Sequence, residues 1–354
     1  MKYALALVCA AAAAFLLLSP ETAAAAVHSA VISCLEVIIP SLFAFTVLSV
    51  FLTKSGLYRV ALRPLTFPLS KLLRIDEELC GLFLLSNIGG YPVGASLISE
   101  MYGNGRISRD TAARLLCFCY GSGPSFIVGI AGLRVFGSAA AGLALYAACF
   151  LGSLVNALIV RAGGRLDISP TKNKPAVTAD CFIGSVISAA RVMFTVCAMI
   201  TAFSVVISML GFIGADRAFA ALLSRLGAGE LSEGVFPALL EISRLRDILP
   251  VTGAMPLCAG LLSFGGACVV LQVAALARDI PLGKFLLFRV PAMMVSAAAA
   301  VPLSLILPPP DAAAIASAAG SARLFSANGA ASLCVMAMAG ILLAEDRAKK
   351  RRQL

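Results

Sequence analysis

Apolar residues run along this chain in long blocks separated by short polar joints. The blocks fall near 3–19, 27–53, 79–99, 114–131, 137–160, 181–213, 233–250, 254–276, 286–307 and 325–344. About 20 apolar residues in a helix cover the hydrocarbon of a bilayer, and most of these blocks reach that length. The pattern predicts an all-α polytopic membrane protein. Two blocks fit poorly as plain spans. SNIGGYPVGASLISE at 86–100 puts two glycines and a proline where a spanning helix has no water to bond. Irregular backbone at that depth is tolerated only inside protein or beside a watery cavity. Gly89, Gly90 and Pro92 therefore predict the tip of a re-entrant hairpin. The half-helix that follows would aim its free N–H groups at the bilayer centre, where they attract anions.

Composition agrees with the pattern. Of 354 residues, 60% are hydrophobic and only 13% charged, against about 25% charged in soluble chains. Trp is absent, so the aromatic belt is weak. The net charge of +10 does not point to nucleic acid, because the basic residues sit in short loops and in the tail EDRAKKRRQL. Their placement also argues about topology. If all ten blocks crossed, the loop GNGRISRD and Arg114 would face away from the other basic loops. If 79–99 and 233–250 enter and leave on one side, most of the 28 lysines and arginines fall on the cytoplasmic side, Arg278, Lys284 and Arg289 among them. Only Arg134, Arg217, Arg225 and Arg323 then lie outside, and Arg191, Arg244 and Arg246 lie at membrane depth. The expectation is about eight spans and two hairpins with both termini cytoplasmic. Residues 1–26 read as a first span or as a signal-like segment.

The chain also resembles itself. VISCLEVIIPSLFAFTVLSVFL at 31–52 aligns with VISAARVMFTVCAMITAFSVVI at 186–207, and FCYGSGPSFIVGI at 118–130 with LLSFGGACVVLQV at 261–273. Each copy would make an odd number of crossings, so the second runs upside down. Inverted repeats with paired broken helices are a feature of secondary transporters. The expected division is a first repeat at 27–160, a cytoplasmic linker at 161–180, a second repeat at 181–307, and a final span with a basic tail at 308–354.

Candidate chemistry follows the breaks. Ser86, Asn87, Gly89, Gly90, Tyr91, Pro92 and Gly94 form the first substrate-binding candidate; the alternative is a kinked span packed through Gly90 and Gly94. Ser122, Gly123 and Ser125 flank a GSGP break that would free carbonyls for a cation or substrate, or merely kink a helix. Glu241, Ser243, Arg244 and Arg246 lie in LLEISRLRDILP, where intramembrane charge defaults to function. Against this, Arg244 and Asp247 could form an ordinary i,i+3 surface pair. Ser263, Gly266 and Gln272 mark a second broken helix. Glu36 and Arg191 occupy equivalent repeat positions and suggest a buried ion pair. The 11 cysteines contain no CxxC pair, and His28 is the lone histidine, so neither a metal site nor a catalytic nucleophile–base arrangement is expected, and no cofactor is called for.

GYPVGA, the GSGP break, LLEI and SFGG…LQ together resemble the sporulation integral membrane proteins of the YlbJ type, also called stage V sporulation protein V. These carry paired nucleoside-recognition gate modules related to concentrative nucleoside transporters. The resemblance runs from about residue 27 to 307. It implies a multi-span transporter of a small anion, dipicolinate, across the outer forespore membrane during sporulation, in keeping with the lack of a catalytic arrangement. It carries Gly90, Tyr91, Pro92, Val93, Gly94 and Ala95 onto the first gate loop, and Glu241, Ile242 and Ser243 onto a second motif. There the family continues with a small polar residue and glycine, whereas this chain has Arg244 and Leu245. A nucleoside-type permease and a non-transporting scaffold for spore-envelope assembly are the competing readings. Coupling ion and oligomeric state are not legible.

Overall fold

The computed structural model describes residues 2–169, 177–232, 234–248 and 253–306. The expected final span at 325–344 and the basic tail lie outside them. The described chain is helical, with no strand, only an isolated antiparallel bridge between Ile107 and Ile168.

Helix α1 (Lys2–Leu18) leads into α2, continuous over Pro20–Ser55. Pro20 starts α2 where a missing N–H costs nothing. At Cys34–Ile38 the helix widens into a π-turn. Pro40 supplies the cause, since it has no N–H for the carbonyl of Glu36. A short amphipathic helix α3 (Arg63–Leu73) follows, then the hairpin arms α4 (Glu77–Gly89) and α5 (Tyr91–Gly103). Each arm has 13 residues, about 20 Å of helix, which takes it only part-way through a core of about 30 Å. The broken helix comes next as α6 (Arg109–Leu116) and α7 (Pro124–Val135), separated by non-helical backbone through Gly123. Helix α8 (Ala139–Ala162) completes the first half.

The second half repeats that order. Long helix α9 (Ala179–Phe212) and amphipathic α10 (Ala215–Arg225) lead to a short hairpin of α11 (Val235–Leu240) and a 3₁₀ turn (Ile242–Asp247). The broken pair α12 (Ala254–Phe264) and α13 (Gly266–Leu276) and the plain helix α14 (Gly283–Ile306) close it. Among the described residues, 5 helices are long and apolar enough to cross a membrane. That number falls below the expected eight because α1 is short, the α6/α7 crossing is interrupted, and the last apolar run is not described.

Helices α2 and α9 pack against each other antiparallel. Lys54 Nζ donates to Gly184 O (3.0 Å) and Ser188 Oγ (2.8 Å) near one end, and Phe15 meets Phe212 at 5.6 Å near the other. The base of the first hairpin is tied to the first end: Glu78, at the start of α4, meets Arg59 just beyond α2 (3.0 Å) and Arg106 just beyond α5 (2.7 Å). The second hairpin is reached through α10, beyond Phe212. The two hairpins thus enter from opposite ends of α9. Each half also packs on the other, α5 against α13 and the 3₁₀ turn against α7.

The most enclosed part of the molecule is where the first hairpin meets the α6/α7 break, with Leu79, Phe83, Ile98, Leu115, Phe118 and Cys119 fully buried. Contact there is close enough that a Cβ on Gly94 would overlap the carbonyl of Cys119. Gly94→Ala should therefore lower the stability of the detergent-solubilised protein by about 1–3 kcal/mol, the usual cost of overpacking. Gly103→Ala, with open space around it, should leave the melting temperature within a degree or so of wild type. Equal melting of the two variants would show that the hairpin does not press on the break.

Candidate functional site

Breaking helices inside protein frees carbonyls, and the site is organised by the donors that meet them. Gly90 turns between α4 and α5 at φ 91°, a left-handed conformation that suits glycine. The turn delivers Tyr91 to the second break, where its hydroxyl donates to Leu262 O and accepts from Ser122 Oγ. Gly265, at φ 87°, separates α12 from α13 and lies against the Tyr120 hydroxyl, which donates to Phe264 O (3.2 Å). Arg289 supplies the rest: it donates to Ser263 O (3.2 Å) and to Cys117 O, with its guanidinium 4.1 Å from the Tyr120 ring centroid. Asn156 Nδ2 also donates to Cys117 O (3.2 Å), and Ser153 Oγ to Tyr120 O (3.3 Å). Residues of both halves so satisfy each other's broken backbone.

Two cavities adjoin this clasp. An inner one of about 30 Å³ is lined by Gly90, Tyr91, Pro92 and Gly123 of the first half, by Glu241, Ile242, Val269 and Gln272 of the second, and by apolar side chains of α2 and α9. The two hairpin tips meet around it. An outer cavity of about 270 Å³ lies on the Phe212 side, lined by Thr22, Ser29, Ser33, Ser204 and Ser208 of the long helices and by Glu241, Ser243, Arg244 and Arg246 of the second hairpin. Glu241 belongs to both. It is 2% exposed and caps the 3₁₀ turn, accepting from Ser243 N (2.9 Å) and from Ser243 Oγ. Arg244 Nε lies 2.9 Å from Asp247 Oδ2 without aiming its N–H along that line, so the contact is electrostatic. The i,i+3 pair and the cavity-lining position therefore coexist in Arg244.

The expected site residues divide. Gly90, Tyr91, Pro92, Gly123, Glu241, Ser243, Arg244, Arg246 and Gln272 line one cavity or the other. The rest hold the breaks together. Ser86 and Asn87 bond back to Phe83 O (2.8 and 2.9 Å); Ser125 donates to Ser41 O (2.6 Å); Ser263 Oγ pairs with Ser296 Oγ (2.6 Å). Gly89 and Gly94 pack inside the hairpin, and Gly266 packs against carbonyls of α11. Ser122 serves Tyr91. Gln272 Nε2 lies 3.3 Å from Cys268 Sγ. Glu36 lies in the π-turn of α2, within electrostatic range of Arg134, and Arg191 lies in α9. Arg289, expected among the cytoplasmic-side basic residues, is 1% exposed inside α14. Its signal was legible as a single charge inside the apolar run FLLFRVPAMM.

No group of three or more metal-ligating side chains occurs among the described residues. At the end opposite the outer cavity, Glu78 gathers Arg106 (2.7 Å), Arg59 (3.0 Å) and the Tyr58 hydroxyl, beside a cavity of about 280 Å³. Burial pushes the Glu78 carboxyl up, but Arg106, Tyr58 and Arg59 outweigh it and hold it below the usual value.

Fold and site together define an integral membrane protein built around interrupted helices. The chain is 32% identical over 145 residues to the sporulation integral membrane protein YlbJ of Bacillus subtilis (strain 168), covering 40% of this chain. The match spans 35% of that protein's length. It bears out the resemblance to the YlbJ-type sporulation membrane proteins. No family model matches the chain, and no solved structure does.

Because the folded Glu78 carboxyl titrates below its unfolded value of about 4.3, its contribution is present above that pH and is lost as pH falls through the folded value. The wild-type melting temperature should therefore drop as pH is lowered from about 5 to 3. Glu78→Gln should melt lower at pH 7, by roughly 1–3 kcal/mol for lost charged hydrogen bonds, with a shallower acid slope. Parallel acid slopes in the two proteins would rule the cluster out as the source.

Proposed function

We propose that this chain is a permease for a small organic anion, working by alternating access between two inverted repeats. The observation that carries the reading is the outer cavity, where Arg244 and Arg246 stand with a row of hydroxyls at the mouth of a passage that narrows to Glu241 and the hairpin tips. Guanidinium groups grip carboxylates through paired, charge-assisted hydrogen bonds. The volume of about 270 Å³ lies near the small end of ligand sites and suits a compact solute. Two hairpins entering from opposite ends, each set against a broken helix, support alternating access by movement of one half against the other.

Dipicolinate, a planar dicarboxylate, fits this chemistry, and the YlbJ-type resemblance favours it. The name of the relative supports a role in sporulation, and the reading places the chain in the outer forespore membrane with both ends in the mother-cell cytoplasm. Asp247 lies 2.9 Å from Arg244 Nε and 3.7 Å from Arg246 Nε, and a bound dicarboxylate would compete with it.

Labelled dipicolinate flux into proteoliposomes tests this directly. Wild type should exceed empty liposomes, unlabelled dicarboxylate should compete, and nucleoside should not. Arg244→Gln and Arg246→Gln should each raise KM about 10–100-fold, the equivalent of one charge-assisted hydrogen bond. Folded protein that gives no flux would favour the scaffold reading, and competition by nucleoside alone would redirect the substrate.

A further inference from the structure

Arg289 is a buried cation that no carboxylate meets among the described residues. Its side chain donates to three carbonyls, Cys117 O, Ser263 O and, within its own helix, Phe285 O (3.4 Å). The rings of Tyr120 and Phe285 lie 4.1 and 4.8 Å from the guanidinium carbon. Burying an unpaired charge costs several kcal/mol, so something must neutralise it. The two long-range carbonyls answer that. Cys117 follows the last turn of α6, and Ser263 lies in the last turn of α12. Each helix C-terminus carries about half a negative charge, and two of them converging on one point match a single positive charge. Carbonyls at the C-terminal ends of broken helices are also the ligands that transporters offer to a coupling Na⁺.

We propose that Arg289 is a resident cation, occupying the point between the two helix breaks that an alkali ion would otherwise fill, so that the protein needs no alkali ion there. It is a positioning residue: it touches no proposed substrate and acts by holding Tyr120 and both breaks in register. The consequence for ion coupling rests on the transport reading; the site itself does not.

Removing the side chain should turn the locus into an alkali-ion site. The full chain is purified as wild type, Arg289→Ala and Arg289→Lys, each in NaCl, KCl, LiCl and choline chloride at equal ionic strength, and thermal unfolding is followed. Wild type should melt alike in all four salts. Arg289→Ala should melt lower in choline and recover by roughly 2–4 °C in at least one alkali salt, the size expected of a ligand that binds only the folded state. Arg289→Lys, which keeps the charge, should be intermediate and indifferent to the salt. If Arg289→Ala is recovered folded only in an alkali salt, the proposal is supported. Failure to fold in every salt, or identical melting in choline and all alkali salts, overturns it, as does a wild type stabilised by Na⁺ over choline. A flux arm separates the two readings: wild-type flux should persist with choline replacing Na⁺ and K⁺. Absence of flux in every salt counts against transport and leaves the melting result standing.

Discussion

A carbonyl released from a helix inside a membrane protein must be met by a donor in the protein, by water in a cavity or by a bound ion. That constraint organises this molecule. The chain breaks at Gly90, around Gly121–Gly123, at Glu241 and at Gly265, and the acceptors freed at the Gly121–Gly123 and Gly265 breaks are met by a small set of side chains. Tyr91, Tyr120 and Arg289 serve successive carbonyls of α12, while Arg289, Asn156 and Ser153 serve the segment after α6. The donors come from both halves, so the halves cannot separate without leaving buried acceptors bare, each at a cost of about 1–3 kcal/mol.

This clasp sorts the polar groups. On one side of it lies a tightly packed region where Ser86 and Asn87 spend their hydrogen bonds on their own helix. On the other the hairpin tips leave a small cavity, and Glu241 divides it from a wider chamber bearing Arg244 and Arg246. Charge that would be expensive in lipid is thus concentrated where a polar chamber can solvate it. Glu78 with its two arginines lies at the opposite end of the bundle. The chain shares sequence with a sporulation integral membrane protein over 40% of its length, and the two arginines of the chamber are the basis of the proposed substrate class.

Much of the architecture was legible because glycine and proline punctuate apolar runs for a physical reason. GGYP and GSGP located two breaks to within a residue or so, and the all-helical build followed from the length of the apolar runs. Side-chain roles were less legible. Ser86 and Asn87 look like ligands beside a break, yet a serine or asparagine facing its own preceding turn is satisfied locally, and rotamer choice is not written in the sequence. Arg289 was grouped with the cytoplasmic-side basic residues, and the apolar residues on both sides of it point to its burial.

Opposite entry of the two hairpins is the claim on which the rest stands, and sidedness of labelling measures it most directly. Asn104→Cys at the base of the first hairpin and Glu230→Cys before the second would be placed in the full chain separately. Each is treated with an impermeant thiol reagent in sealed right-side-out and inverted vesicles, with the native-cysteine background subtracted. The account predicts that the two positions react from opposite faces of the membrane, position 104 only in inverted vesicles and position 230 only in right-side-out ones. Reaction of both from the same face would contradict it.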